Sequence, residues 1–223
     1  MDLQQNKDAV FAAIERAKKA ADRSQEFVNV IAVTKYVDSS ITKDLVATGV
    51  QHIGENRVDV FLDKYRALSG IPLTWHLIGS LQRRKVKDVI NYVDYFHALD
   101  SVKLAQEIQK RAEKKIKCFL QVNISKEASK HGFLIEELEA VLEELLSLDK
   151  VEVVGLMTMA PFEASHAELM SIFSEAKALQ ERLAARKLPH MPFTELSMGM
   201  SGDFTEAIAC GATFIRIGTA FFK

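Results

Sequence analysis

The chain has 223 residues, enough for one domain with a substantial core. Apolar residues make up 48% and charged ones 26%, and the formal net charge of -1 gives no support to a nucleic-acid or membrane-surface role. The N-terminal stretch MDLQQNKDAVFAAIERAKKA lacks the apolar centre of a signal peptide, no segment reaches the length of a membrane span, and Cys118 and Cys210 share no metal or redox spacing, so a cytoplasmic protein with buried free thiols is expected.

In chain order, a helix is expected over 6–24, with Val10, Ala13, Ile14 and Ala17 on one face. Eight short apolar runs follow, seven of them trailed by an amphipathic stretch. The first run, 28–33, precedes a helix at 39–48, and the second, 52–53, precedes one at 56–68. Runs at 74–78 and 95–98 lead into helices at 81–90 and 101–114. Runs at 118–122 and 151–155 lead into 133–148 and 164–186. The run at 195–197 precedes a short helix at 202–210, and 213–217 comes last. Most of the runs are rich in Val, Ile, Leu and Phe, as strands buried on both faces are. The four prolines fall at loop or edge positions.

Such alternation favours a parallel sheet, and eight units in this length favour a single-domain α/β fold, a closed (β/α)8 barrel over 1–223 with an additional N-terminal helix. A doubly wound open sheet ranks second, because no glycine-rich dinucleotide fingerprint follows the first run.

In these barrels chemistry sits at the C-terminal ends of the strands. The last 28 residues, 196–223, carry two loops of small residues there, Gly199-Met200-Ser201-Gly202 and Gly218-Thr219. Small residues let a backbone approach an anion closely, so one phosphate held between the two loops is the expectation. Lys35 comes just after the apolar stretch Ile31-Ala32-Val33, with Thr34 between, and is expected at the barrel mouth, partly desolvated, where an amine serves Schiff-base chemistry. A solvated loop lysine is the plainer alternative. A Schiff-base lysine and a phosphate anchor on one face suit a phosphosugar aldolase or a pyridoxal-phosphate protein. Arg216 only donates hydrogen bonds, and it reads either as a phosphate clamp or ion pair or as the partner of a pyridine nitrogen.

Other polar residues have plainer readings. His52 reads as a satisfied core histidine. His97, His131, His166 and His190 show no metal-ligand spacing and are expected on loops or faces. Trp75, Met157 and Met159 read as packing or cavity wall, and the acidic run 136–144 as a solvated helix face.

The stretches AVTKY (32–36), HIGENRV (52–58), WHLIGSLQRRK (75–85), ALDSVKLA (98–105), QVNISKEASKHGF (121–133), GLMTMAP (155–161), LSMGMSGDF (196–204) and IRIGTAFF (215–222) resemble the pyridoxal-phosphate homeostasis proteins, the YggS/PROSC family of alanine-racemase-like proteins. The resemblance runs in order along nearly the whole chain. It implies a barrel like the N-terminal domain of alanine racemase, the fold type III of pyridoxal-phosphate proteins. It also implies pyridoxal 5'-phosphate as cofactor, carried as an internal aldimine on Lys35. Ser201, Gly218 and Thr219 would hold the phosphate, with Gly199 and Met200 shaping the loop. Arg216 would face the pyridine nitrogen, Asn56 and Met198 would line the ring, and His76 would lie near it. Lys130 matches a family lysine implicated in cofactor handling. Many relatives carry a second lysine shortly after the Schiff-base lysine; here Tyr36 and Val37 follow instead. The implied role is cofactor holding and delivery, with pyridoxal-phosphate-dependent apo-enzymes as recipients and no robust turnover; no metal is expected, since no ligand spacing is present, and a monomer is the default because no apolar stripe compels an interface. Weak amino-acid racemisation and Schiff-base aldol chemistry are the alternatives.

Overall fold

The computed structural model describes residues 1–127 and 131–223. It begins with helix α1 (Leu3–Ala20), whose N-terminus is capped by the Asp2 side chain accepting from the Gln5 N–H at 3.0 Å. Val10, Ile14 and Ala17 are its buried apolar face, as the spacing predicts. Asn6 fastens this helix to the chain end by donating to the carbonyls of Phe221 (3.0 Å) and Lys223 (2.9 Å).

Eight parallel strands then alternate with helices. They are β1 (Asn29–Val33), β2 (His52–Glu55), β3 (Thr74–Leu77), β4 (Tyr95–Leu99), β5 (Ile116–Gln121), β6 (Val151–Met157), β7 (Glu195–Met200) and β8 (Phe214–Ile217). The intervening helices are α2 (Ser39–Ala47), α3 (Val58–Ala67), α4 (Arg83–Val89), α5 (Val102–Arg111), α6 (Leu138–Leu145), α7 (His166–Ala184) and α8 (Phe204–Ala209). Each strand pairs with the next in sequence, and β8 closes on β1 through pairs such as Val30 with Ile215 and Ala32 with Ile217. The (β/α)8 expectation holds, and the open sheet is excluded because that closure leaves no edge.

Three strands run two or more residues past their expected ends. β2 continues to Glu55, β6 to Met157 and β7 to Met200, beyond the expected ends at 53, 155 and 197. In β2 the ladder outlasts the apolar run into Gly54 and Glu55, whereas β6 and β7 run on past Gly155 and Ser197 into Leu156-Met157 and Met198-Gly199-Met200. The helix expected over 133–148 contracts to α6, preceded by a 3-10 turn at Ile135–Glu137. Glu136, Glu137, Glu139, Glu143 and Glu144 are exposed, as a solvated face requires.

The barrel interior is filled largely by rings. Tyr95, Phe119 and Phe214 pack with His76 and His97; the His97 and Phe119 rings stack at 4.4 Å and those of His76 and Tyr95 at 5.0 Å. His97 is therefore fully buried in β4, not on a loop or face as expected. Phe96 and Ala98 flank it in the apolar run, and alternation along the strand turns its ring to the interior with Tyr95 and Phe119 as neighbours. His131 and His166 are exposed and His190 is half-buried in a turn, while Trp75 packs against Phe61 and Tyr65. Cys118 and Cys210 are buried free thiols, and burial pushes the Cys118 thiol far up. Among the described residues, no helix is long and apolar enough to cross a membrane.

Candidate functional site

At the C-terminal mouth of the barrel lies a cavity of about 560 Å³. Lys35 and Asn56 line one side, from the ends of β1 and β2, and Ser201, Arg216, Gly218 and Thr219 line another, from the ends of β7 and β8. An apolar wall of Met157, Met159, Pro161 and Phe162 adds a third side. A smaller cavity of about 230 Å³, lined by Tyr65, Pro72 and Lys114 among others, contains none of the residues singled out above except Trp75.

Lys35 lies two residues beyond the end of β1, just past the buried Thr34, and is exposed rather than partly desolvated. Its Nζ lies 4.8 Å from the centre of the exposed Tyr36 ring. Beneath it the backbone is tied down. Lys64, on α3, extends to the buried carboxylate of Glu55 at 2.5 Å and donates to the Thr34 carbonyl at 2.6 Å. The Thr34 hydroxyl donates to the same Glu55 oxygen at 2.5 Å. Among the described residues, Glu55 Oε2 is the one buried side-chain oxygen or nitrogen without a hydrogen-bond partner. Sequence reasoning did not find this trio. Its signal was present in Lys64, which shares a helix face with the buried Phe61 and Leu68 at three- and four-residue spacing.

On the other side, Arg216 in β8 is buried and donates to the Ser197 hydroxyl (2.7 Å) and the Thr158 carbonyl (3.2 Å). Burial pushes its guanidinium down to about 10, with the Asp203 charge opposing the shift. Ser197 contacts His97 Nδ1 at 2.9 Å, His97 contacts His76 at 2.9 Å, and His76 contacts the half-buried His52 at 2.9 Å. His52 is thus satisfied, as expected. Burial holds His76 and His97 well below the usual imidazole range and lowers His52 as well.

The two loops of small residues meet: the Gly218 N–H donates to the Ser201 hydroxyl at 3.3 Å. β7 extends through Met200, so the loop opening α8 is Ser201–Asp203 rather than one that starts at Gly199. The Met200 N–H donates to Asp203 Oδ1 at 2.6 Å, which tightens that turn.

Three of the expected residues fall outside the cavity lining. Gly199 is buried with φ +97°, and a Cβ there would sit 2.6 Å from the Ala207 Cβ, so its glycine is required by packing of β7 on α8. Met198 is fully buried beside it. His76 is enclosed in the barrel between two other histidines. Lys130 lies outside the described residues. Among the described residues, no cluster of three or more His, Cys, Asp or Glu has an arrangement suited to a metal ion.

Residues 6–223 match the model of the alanine racemase N-terminal domain. The chain is 38% identical over 219 residues to the pyridoxal phosphate homeostasis protein of Aquifex aeolicus, covering 96% of this chain and 94% of that one. It is 33% identical to the protein of the same name from Pseudomonas aeruginosa, with 99% and 94% covered. Among solved structures it is similar to PipY of Synechococcus elongatus with pyridoxal phosphate bound, at TM-score 0.81 and 34% identity, covering 93% of this chain and 99% of that one. Alanine racemase of Clostridium difficile shares the fold at TM-score 0.71 and 18% identity, with 88% of this chain and 52% of that one covered. A closed barrel with a lysine after β1 and an arginine in β8, matched over nearly its whole length by these relatives, belongs to the family of pyridoxal phosphate homeostasis proteins.

Proposed function

We propose that this chain binds pyridoxal 5'-phosphate and serves its homeostasis, holding and delivering the cofactor without robust turnover. The observation that carries this reading is the convergence of Lys35, Arg216 and the Ser201 and Gly218-Thr219 loops on one cavity. Those groups fit the cofactor. An amine suits its aldehyde, and a guanidinium, which only donates, suits a pyridine nitrogen. Small and hydroxyl-bearing residues suit a phosphate, and packing leaves room at that end: a Cβ on Gly202 would meet nothing within 4 Å, and one on Gly218 would come no closer than 3.7 Å to Val33.

Lys35 is the attachment point in this reading. Ser201, Gly218 and Thr219 hold the phosphate, and Asn56 lies against the ring. Gly199 and Met198 support from beneath, Gly199 by letting β7 approach α8. When bound, pyridoxal phosphate supplies an aldehyde and an electron-withdrawing ring. A donor-only Arg216 keeps the ring nitrogen unprotonated, which leaves that ring a weak electron sink and agrees with low turnover. The recipients are apo-enzymes that use the same cofactor, and the protein acts as a cytoplasmic monomer.

The test is spectroscopic. Pyridoxal phosphate added to the purified protein is expected to give a visible absorption band, and borohydride reduction to leave an adduct on Lys35. Lys35→Ala is expected to lose the adduct while retaining weaker, phosphate-anchored binding. A protein that gains no band, or an adduct on another lysine, would overturn the assignment. D-alanine formed from L-alanine in proportion to protein would overturn the absence of turnover.

A further inference from the structure

Arg216 is linked to the interior of the barrel by an unbroken row of polar groups, and the direction of that row follows from its Arg216 end. A guanidinium has no acceptor, so at 2.7 Å the Ser197 hydroxyl must accept from Arg216. Its single proton then has one partner among the described residues, His97 Nδ1 at 2.9 Å. A nitrogen that accepts carries no proton, so His97 is neutral with its proton on Nε2. That Nε2–H faces His76 Nδ1 at 2.9 Å, and His76 is set in the same form. His76 Nε2–H in turn faces His52 Nδ1 at 2.9 Å. A second proton on His76 or His97 would set two donors against each other in a fully buried place. The stacking of His76 on Tyr95 and of His97 on Phe119 fixes the ring planes.

We propose that Ser197 and His97 are positioning residues of the cofactor site: they hold Arg216 oriented toward the ring nitrogen, while His76 and His52 fix the tautomer of His97 that this requires. The inference rests on the reading of Arg216 as the partner of the ring nitrogen. It gives His76 a place in the site, acting through His97 rather than beside the ring. A guanidinium carries five N–H donors, and Ser197 and Thr158 engage two of its nitrogens, Nη1 and Nη2. Arg216 also lines the cavity, so donors remain for a ligand there. The burial that depresses the imidazoles of His76 and His97 agrees with their neutral forms.

The first measurement needs neither cofactor nor variant folding. In protein labelled with nitrogen-15 histidine, long-range proton–nitrogen correlation at neutral pH is expected to show His97 and His76 protonated on Nε2 alone. Protonation of His97 on Nδ1, or on both nitrogens, would overturn the proposal. The second compares two variants. His97→Asn keeps an acceptor for the Ser197 hydroxyl, whereas His97→Leu removes it. His97→Leu is expected to weaken pyridoxal phosphate binding about tenfold or more, the scale of a disturbed hydrogen bond to a charged group, and His97→Asn far less. With the cofactor labelled at its ring nitrogen, the nitrogen-15 resonance is expected to move in the Leu variant and stay in the Asn variant. Equal effects in both, or none, would overturn the positioning role. If Arg216→Gln leaves that resonance unmoved while the tautomers are as stated, the reading of Arg216 has failed and the hydrogen-bond row has not.

Discussion

On the β1–β2 side of the cavity Lys35 is exposed, and what is fixed is the backbone beneath it, tied by Lys64 and Thr34 to the buried Glu55. On the β7–β8 side Arg216 is itself buried and held through its side chain by Ser197 and the Thr158 carbonyl. The contrast fits the two tasks proposed above. A lysine that captures and releases an aldehyde needs a mobile amine on a fixed base. A cation facing a ring nitrogen needs a fixed direction, because hydrogen bonds weaken steeply once misaligned.

The largest expected effect breaks the first anchor. Lys64→Met leaves Glu55 buried without its cation and is expected to cost about 3–5 kcal/mol in denaturant unfolding. Lys35→Met, at an exposed position, is expected to stay within about 0.5 kcal/mol of the parent. Similar losses in the two variants would erase the distinction between anchored backbone and exposed amine.

Acid strains the other side. Burial holds His76 and His97 well below the usual imidazole range, so below pH about 6.5 the unfolded chain takes up protons at these positions that the folded barrel refuses. Their contribution to stability is therefore present above that pH and lost as pH falls, by up to about 1.4 kcal/mol per pH unit for each histidine. Urea midpoints measured between pH 7.5 and 5.5 check this, and His97→Asn is expected to show the shallower decline. A decline as steep in that variant as in the parent would mean that His97 is not held neutral.

Thr219→Val tests the exposed end of the β8 loop. It is expected to weaken cofactor retention by roughly 1–3 kcal/mol, measured by equilibrium dialysis, with folding unchanged. Unchanged affinity would shift the phosphate contacts to the backbone amides.

Much of this was legible in the chain itself. The alternation of apolar runs and amphipathic stretches specified eight strand–helix units, because strands buried on both faces have little tolerance for polar residues. A lysine just past the first run, an arginine within the last, and small residues after the last two strands marked the mouth of the barrel before any geometry was known. Strand ends were less legible, since β2, β6 and β7 continue past small or polar residues (Gly54, Gly155, Ser197) that read as the ends of their runs. Gly199 was read as a loop glycine, yet its φ of +97° and the closeness of Ala207 make it a packing glycine within β7.

Closure of the barrel decided the rest. His97 and Ser197 lie 100 residues apart, on strands that are not neighbours in the sheet, and they meet only because a closed barrel turns both inward across one interior. Local sequence encodes which face of a strand is polar. Which polar groups then become partners depends on the stagger of strands around the whole ring, a property of closure that no single segment carries.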